Sequence, residues 1–542
     1  MNQKLQSFPA RGRRYVDYAR FTGCCRLTGS WYRLFQRPPI HRIPAEIFTE
    51  IFMLVRDSLI DSSAPTSRDI DQLHAANLAL FRITAVCFHW RLVATGFGAL
   101  WSNIVFSTLK SSSIQCAKLF LGRTKRSALC VYVSAPVLPD TPTNLATIDK
   151  LVSDISRESD RVRIFHFSAT SWSNDLYMYW MDPVETSHQL PGNTSVKSAA
   201  LCRPFPQLES MSLSSPIWYP NIAPRLKDLE LRNNGGTASL KLLLCNLGQC
   251  PELGSLVLQG YRQFVDEDHS RVVTILPKLY RLHLFSCTPA LILASLHLPS
   301  LTHPLIISDS DPHENILCNL PWQHGARYLE GVSKLRVVFD AGNSRYSLSA
   351  YREDGRMTLY LTSSAVSHLS RFRWIHESIE AITSFGPFSQ AMSLSVTADV
   401  VCSSWSSWLL KMRHVSRLDL CCADVTGYLT SLSTLVDGSP LCPSLSTLAL
   451  DGFSSSGAFS YALLKACILF RRAVGCPLTF VIIPGSDLTR VCANDPSWNS
   501  LIDSQGERTY VLNGVQNHTL TKVQPPLGRG FYFGFPREGS WA

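Results

Sequence analysis

The sequence is poor in charge and lacks the long apolar runs of membrane proteins. Only 17% of its 542 residues are charged and 45% are hydrophobic, so we expect a packed core and not a disordered chain. No run of about eighteen residues is free of charge, proline and polar interruption, so no membrane-spanning helix is expected. The start of the sequence has no apolar segment of the signal-peptide type.

The seventeen cysteines are scattered and include no C-x-x-C pair. An odd number of cysteines in a large chain without a secretion signal indicates reduced thiols, and we therefore expect a cytoplasmic or nuclear location. The sequence also lacks G-x-S-x-G, G-x-x-x-x-G-K-[ST], a G-x-G-x-x-G after a strand, and H-E-x-x-H. We therefore expect no enzyme activity, no catalytic residues, no cofactor and no metal site.

Positive charge is concentrated at the amino terminus. Residues 1–42 contain nine Lys and Arg against Asp17 alone, and the rest of the chain is close to neutral. A basic, aromatic arm of this kind could contact nucleic acid or an acidic membrane surface, or act as an organelle transit peptide. We favour a flexible, solvated extension over residues 1–38. Nothing else in the sequence favours nucleic-acid binding.

Two amphipathic helical patterns occupy residues 39–106. The first follows Ile43-Pro44, and proline suits the first turn of a helix because its missing N–H would have no partner there. Large apolar side chains recur at helical spacing in both patterns, with the polar insert Ser58–Gln72 between them. So short a pair of helices cannot bury all these groups against itself. We therefore expect part of this surface to meet another domain or another protein.

From Phe205 onward the sequence repeats the phrase P-x-L-x-x-L-x-L, with Met211 substituting for one leucine. Successive early copies are 18, 27 and 26 residues apart, close to the roughly 20–29 residues of leucine-rich repeats. Helical stretches separate the copies, so we predict an α/β fold with an irregular leucine-rich-repeat-like solenoid and inserted loops over residues 107–483. A conventional parallel α/β sheet is the alternative. We predict an irregular cap or tail over residues 484–542.

The repeated phrase also predicts which face is open to a partner. Side chains alternate across a strand, so the leucines point inward and the residues between them face outward. The outward row is polar and mixed in charge, which suits a protein partner better than a nucleic-acid backbone. The candidate target-binding residues are Asp228, Glu230, Arg232, Gln259, Arg281, His283 and Phe285.

Three other features of this region carry local predictions. Asp354-Gly355 lies between two alternating segments and predicts a β-hairpin. Trp405 and Trp408, three residues apart, are typical of a packed helix face. The aromatic stretch Ser168–Ser195 has little periodicity, and we interpret it as an inserted loop.

Residues 39–106 resemble an F-box, in the version common among fungal F-box-like proteins. The matching positions are Ile43-Pro44-x-Glu46-Ile47, Ile51-Phe52, Val86-Cys87-x-x-Trp90-Arg91 and Leu100-Trp101-Ser102-x-Ile104. The sequence departs from the family pattern at the insert Ser58–Gln72 and at Phe88-His89, where a basic or small polar residue is more usual.

The resemblance implies a substrate-recognition subunit of an SCF-type cullin ubiquitin ligase. In that role the F-box docks on a Skp-type adaptor, and through it a cullin, while the solenoid binds a protein target. The alternative is an interaction scaffold in which the F-box-like hairpin only caps the solenoid; exposure of the apolar residues would distinguish the two. The implied adaptor-binding residues are Ile43, Pro44, Ile47, Ile51, Phe52, Val86, Trp90 and Trp101, some of which belong to the core.

Overall fold

The structure, a computed structural model, describes most of the chain. The basic arm at residues 1–42, and much of the insert, of the aromatic stretch and of the carboxyl-terminal region, lie outside the described residues. The described residues are 43–58, 70–107, 111–135, 142–169, 204–214, 223–233, 237–265, 273–299, 301–309, 331–340, 345–364, 391–398, 405–422, 425–451, 461–483 and 510–513.

Ten α-helices occur among the described residues. They are α1 Ala45–Asp57, α2 Ile70–Val86, α3 Phe88–Gly96, α4 Ser111–Arg123, α5 Pro142–Arg157, α6 Leu240–Gly248, α7 Pro289–Ala294, α8 Trp405–Lys411, α9 Thr426–Leu432 and α10 Tyr461–Ala473. Single turns of 3-10 helix cover Gly98–Trp101 and Ser159–Arg161. In the part of the chain that is described, no helix combines the length and apolar character that crossing a bilayer requires.

Twenty strands occur in the same ranges. They are β1 Asn103–Ser107, β2 Leu129–Ala135, β3 Val162–Ala169, β4 Ser210–Leu213, β5 Asp228–Arg232, β6 Ser255–Gln259, β7 Thr274–Ile275, β8 Arg281–Phe285, β9 Leu296–His297, β10 Leu305–Asp309, β11 Val332–Asp340, β12 Arg345–Arg352, β13 Met357–Ser364, β14 Ser393–Ala398, β15 Arg417–Cys422, β16 Leu435–Val436, β17 Ser439–Pro440, β18 Thr447–Asp451, β19 Phe480–Ile483 and β20 Tyr510–Asn513.

Sixteen of the described strands form one sheet, in the order β1-β2-β3-β4-β5-β6-β8-β10-β13-β12-β11-β14-β15-β18-β19-β20. Neighbours in this sheet pair in parallel, apart from β11 with β12 and β12 with β13. The mixed α/β class predicted from the alternation of strands and helices is confirmed. The strand β20 lies in the region predicted to be an irregular cap or tail, and it extends the sheet.

One side of the sheet carries the leucines of the repeated phrase. Leu229 and Leu231 of β5 are buried, and so are Leu256 and Leu258 in register beside them on β6. The first leucine of the same copy, Leu226, is also buried in the turn before β5. Each such side chain contributes roughly 1.5–3 kcal/mol through burial, so the repeated phrase accounts for much of the core.

The Asp354-Gly355 turn joins β12 to β13, so the predicted hairpin is present. Gly355 has a φ of +79°, a conformation that glycine adopts without a Cβ penalty. The hairpin inserts two strands into the sheet between β10 and β11, where β13 runs parallel to β10. The side chains of Trp405 and Trp408 lie outside the described residues, although both positions are in α8.

The second amphipathic pattern of the amino-terminal region forms two helices and not one. Helix α2 ends at Val86 and α3 begins at Phe88, because Cys87 adopts an extended conformation with φ −156°. Its Sγ accepts a hydrogen bond from the backbone N–H of Trp90 at 3.4 Å, which caps α3. Apolar spacing alone did not show this break, since Val86 and Trp90 both fit one continuous helical period.

The helices α1–α3 and the following 3-10 turn form a helical module, residues 43–58 and 70–101, that packs on the first edge of the sheet. Trp101 is fully buried there, and its Nε1 donates a hydrogen bond to the carbonyl oxygen of Ala94 at 2.7 Å. Its ring lies 4.9 Å from that of Phe120 on α4. On the opposite face of the sheet, Leu73 of α2 packs against Val105 and Tyr132. The module therefore covers both faces at β1.

Candidate functional site

Helix α1 carries large apolar side chains on two of its sides. Phe48 and Phe52 are buried in the core, whereas Ile47 and Ile51 remain 51% and 41% exposed. Leu54 extends this exposed row by one more turn, since residues three and four apart share a helix face. A face of this kind is unusual on a helix that already buries the neighbouring side through Phe48 and Phe52. We call it the outer face of α1; it consists of Ile47, Ile51, Leu54 and Val55.

Helix α3, which packs against α1, also exposes apolar groups. Phe88 is 76% exposed, and Leu92, four residues later, is exposed as well. Val86, just before the break between α2 and α3, is exposed too. Exposed apolar groups on neighbouring elements are typical of protein-interaction sites.

The eight predicted adaptor-binding residues fall into two groups. Phe52 and Trp101 are buried, and Trp90 is half-buried with its ring 5.2 Å from that of Phe52. Ile43 is half-buried against the core. These four residues support the module from inside. The residues with exposed side chains are Pro44, Ile47, Ile51 and Val86.

Part of this surface lies outside the predicted adaptor-binding set. Leu54 and Val55 lie seven and eight residues after Ile47 and belong to the same helical pattern, but they were not among the predicted docking residues. Phe88 and Leu92 were not in this set either. Their exposure depends on where α3 begins, which the apolar pattern did not show.

The second candidate surface is the polar face of the sheet, the side opposite the leucine core. Strand register aligns its side chains in rows across neighbouring strands. One row contains, in register, Tyr132, His166, Ser212, Glu230, Val257 and His283. The next row contains Ile164, Ser210, Asp228, Ser255 and Arg281.

Two groups of contacts hold charged residues on the polar face. Glu230 is buried and accepts hydrogen bonds from the Ser212 hydroxyl at 3.1 Å and from Arg232 at 2.7 Å. Arg281 donates from Nε to Nε2 of His283 at 3.1 Å. Burial of Glu230 is tolerated because both of its carboxylate oxygens have donors. The predicted residues Gln259 and Phe285 lie half-buried in register with each other at the ends of β6 and β8.

Burial holds two histidines of this face in the neutral form. Desolvation, with smaller contributions from Arg281 and His303, lowers the pKa of His283 to about 3. Desolvation, assisted by the charge of Arg232, lowers the pKa of His166 to about 3. Since Nε2 of His283 accepts the bond from Arg281, its neutral form carries the proton on Nδ1.

Among the described residues, no group of three or more His, Cys, Asp or Glu is placed to hold a metal ion. Two of the buried thiols there are poor nucleophiles. Burial raises the pKa of Cys442 to about 12 and that of Cys250 to about 11, so both remain protonated near neutral pH.

Comparison with known proteins adds no family to these observations. No protein-family model matches the sequence, and no curated protein matches it.

Proposed function

We propose that this chain is the substrate-recognition subunit of an SCF-type cullin ubiquitin ligase. In this proposal the helical module is an F-box that docks on a Skp-type adaptor. The sheet with its flanking helices is an irregular leucine-rich-repeat-like solenoid whose polar face binds a protein target. The chain itself is not an enzyme; it positions a target for ubiquitin transfer by other subunits.

The outer face of α1 is the observation that carries this proposal. Ile47 and Ile51 match the F-box pattern and lie in water, although α1 has already buried Phe48 and Phe52 on its other side. Leaving such groups exposed costs free energy that a partner could recover by covering them, at roughly 25 cal/mol per Å² of apolar surface. A helix that served only the core would not need this second apolar side.

A co-purification experiment with the full chain and a Skp-type adaptor tests the proposal. The wild-type chain should retain the adaptor, and the double substitution Ile47→Glu with Ile51→Glu should abolish retention. Leu242 on α6 and Leu469 on α10 are 43% and 46% exposed, so Leu242→Glu with Leu469→Glu is the matched control and should bind as the wild type does. Failure of the wild-type chain to bind, or equal binding by both double variants, would contradict docking through α1.

A non-ligase interaction scaffold is the second candidate, and one observation favours it. The module covers β1 on both faces, through Trp101 on one side and Leu73 on the other. The end unit of a solenoid needs a cap because its apolar core would otherwise face water, so capping alone gives the module a structural purpose. In this case the wild-type chain would show no adaptor binding while remaining folded and monomeric.

A further inference from the structure

A small cavity of about 60 Å³ opens on the polar face between β2 and β6. Its origin lies in the side chains of β4. Ser210 and Ser212 are short, and they stand between Ile164 and His166 on β3 and the carboxylates of β5. Because neighbouring strands are about 4.8 Å apart, the β3 and β5 side chains are separated by roughly twice that distance. The serines therefore leave a gap between them.

His166 is the first sign that this cavity receives a ligand. The imidazole is 8% exposed and lines the cavity, yet its nitrogens make no hydrogen bond to any residue that the structure describes. Tyr132 is its ring neighbour, with centroids 6.1 Å apart, and supplies no hydrogen bond to it. A nearly buried imidazole is stabilised by a hydrogen-bond donor that enters the cavity. The neutral ring offers one nitrogen acceptor to whatever enters the cavity.

Asp228 is the second sign. Its carboxylate lines the cavity, and within the described ranges it forms no ion pair within 4 Å. Burial raises the pKa of Asp228; the charges of Arg281 and Lys227 lower it, and that of Glu209 raises it. Glu230, the other charged lining residue, is already bonded to Arg232 and Ser212. The charged groups of the lining are therefore both acidic, and the charge of one of them is not neutralised by a contact.

We propose that this cavity binds the ammonium group of a lysine side chain presented by the protein target. Three acceptors surround the gap: the Asp228 carboxylate, the free nitrogen of His166 and the Ser210 hydroxyl. An ammonium group has three donors and no acceptor. The volume equals that of about two water molecules, which suits an ammonium and its last methylene better than a planar guanidinium. The proposal rests on the proposed function, because it names what the polar face recognises in its target.

Peptide retention on the immobilised full chain tests this assignment. The probes are pools of acetylated dodecapeptides with randomised neutral positions and one fixed central residue, either lysine, arginine or the uncharged lysine analogue norleucine. The lysine pool should be retained at least about ten-fold more than the norleucine pool and more than the arginine pool, in line with a charge-assisted hydrogen bond in a partly buried site. Raising the salt concentration should reduce this preference.

Asp228→Asn is the decisive variant because it keeps the shape and removes the charge. It should lower retention of the lysine pool by about ten-fold and leave the norleucine pool unchanged. Asp419→Asn, on the same face but already bonded to Arg417 at 2.9 Å, is the matched control and should keep the wild-type preference. Circular dichroism checks the fold of both variants; if Asp228→Asn does not fold, the wild-type comparison of lysine with norleucine decides alone.

Equal retention of lysine and norleucine pools by the wild-type chain overturns the assignment, and so does arginine retention equal to that of lysine. Adaptor co-purification from the same preparation separates this result from the proposed function. A chain that binds the adaptor but shows no lysine preference contradicts only the cavity assignment. A chain that prefers lysine but binds no adaptor contradicts only the ligase role.

Discussion

The outer face of α1 and the polar face of the sheet depart from the usual distribution of side chains in opposite directions. On α1, Ile47 and Ile51 remain in water, whereas on the sheet Glu230 and His283 are buried. The first arrangement costs hydrophobic free energy, and the second costs desolvation of polar groups. A partner that covers the outer face of α1 would recover the first cost. Hydrogen bonds already offset most of the second cost on the polar face of the sheet.

The two surfaces would recognise a partner in different ways. An apolar helix face gives affinity through buried area, and its contacts are tolerant of small shifts. A polar face with fixed bonds, such as that between Glu230 and Arg232 at 2.7 Å, gives selectivity because a wrong group leaves buried charges without partners.

The largest effect is expected inside the helical module, at Trp101. Trp101→Ala removes a fully buried ring, its contact with Phe120 and its bond to Ala94, so the free energy of unfolding should fall by about 3–5 kcal/mol. Ile47→Ala, on the outer face, should change it by no more than about 0.5 kcal/mol. Urea unfolding of the two variants measures both values. Similar losses at the two positions would show that Ile47 belongs to the core.

Substitution of Gly260, which follows the end of β6, should cause the next largest loss of free energy of unfolding. Gly260 has a φ of +79°, and a Cβ there would lie 2.0 Å from the carbonyl oxygen of Asn233. Gly260→Ala should therefore lower the free energy of unfolding by about 2–3 kcal/mol. Gly355 has the same φ with open space around it, so Gly355→Ala isolates the backbone cost and should lose about 1 kcal/mol. Urea unfolding measures both losses. Equal losses in the two variants would mean that the Asn233 carbonyl moves away from the new Cβ at no energetic cost.

The buried pair on the polar face gives the third prediction. Glu230→Gln removes the charge that Arg232 contacts, and leaving this half-buried cation without its anion should cost about 1–3 kcal/mol. Asp419→Asn changes a more exposed pair with Arg417 and should cost less than about 1 kcal/mol. Chemical denaturation of both variants at neutral pH gives the comparison. A larger loss at Asp419 would contradict the assigned difference in burial.

The smallest expected effect is a change in pH dependence at His283. Its folded pKa of about 3 lies below the ordinary value of 6.5, so the unfolded chain binds more protons between these values. The resulting stabilisation is present above pH 6.5 and is lost as the pH falls toward 3. Between pH 6 and pH 5, His283 should lower the free energy of unfolding of the wild type by about 1 kcal/mol. The His283→Gln variant should not show this part of the fall.

Thermal or urea unfolding at the two pH values measures this difference. His297→Gln, a change at an exposed histidine, is the matched control and should keep the wild-type pH dependence. Identical pH dependence in wild type and His283→Gln would show that His283 is not buried as a neutral group.

Several elements could be predicted because their signals are local. The alternation in Leu229 and Leu231 predicted a strand with one buried side, and Asp354-Gly355 predicted a hairpin. The break at Cys87 was missed because a capping sulfur competes with an apolar pattern that continues through it. His166 was missed as a candidate because its row-mates belong to other strands, and nothing in its own strand distinguishes it from a solvated residue.

Local sequence patterns are sufficient to predict the alternation of strands and helices, the leucine side of the sheet and the composition of its polar side. Each depends on residues a few positions apart, where periodicity and turn chemistry act directly. Packing in the folded chain is what leaves Ile47 in water and buries Trp101, and it is what brings His166, Ser210 and Asp228 around one cavity. Those outcomes depend on strand register and on packing between distant segments, because a side chain's exposure is set by which segments lie against it and not by its own residue type.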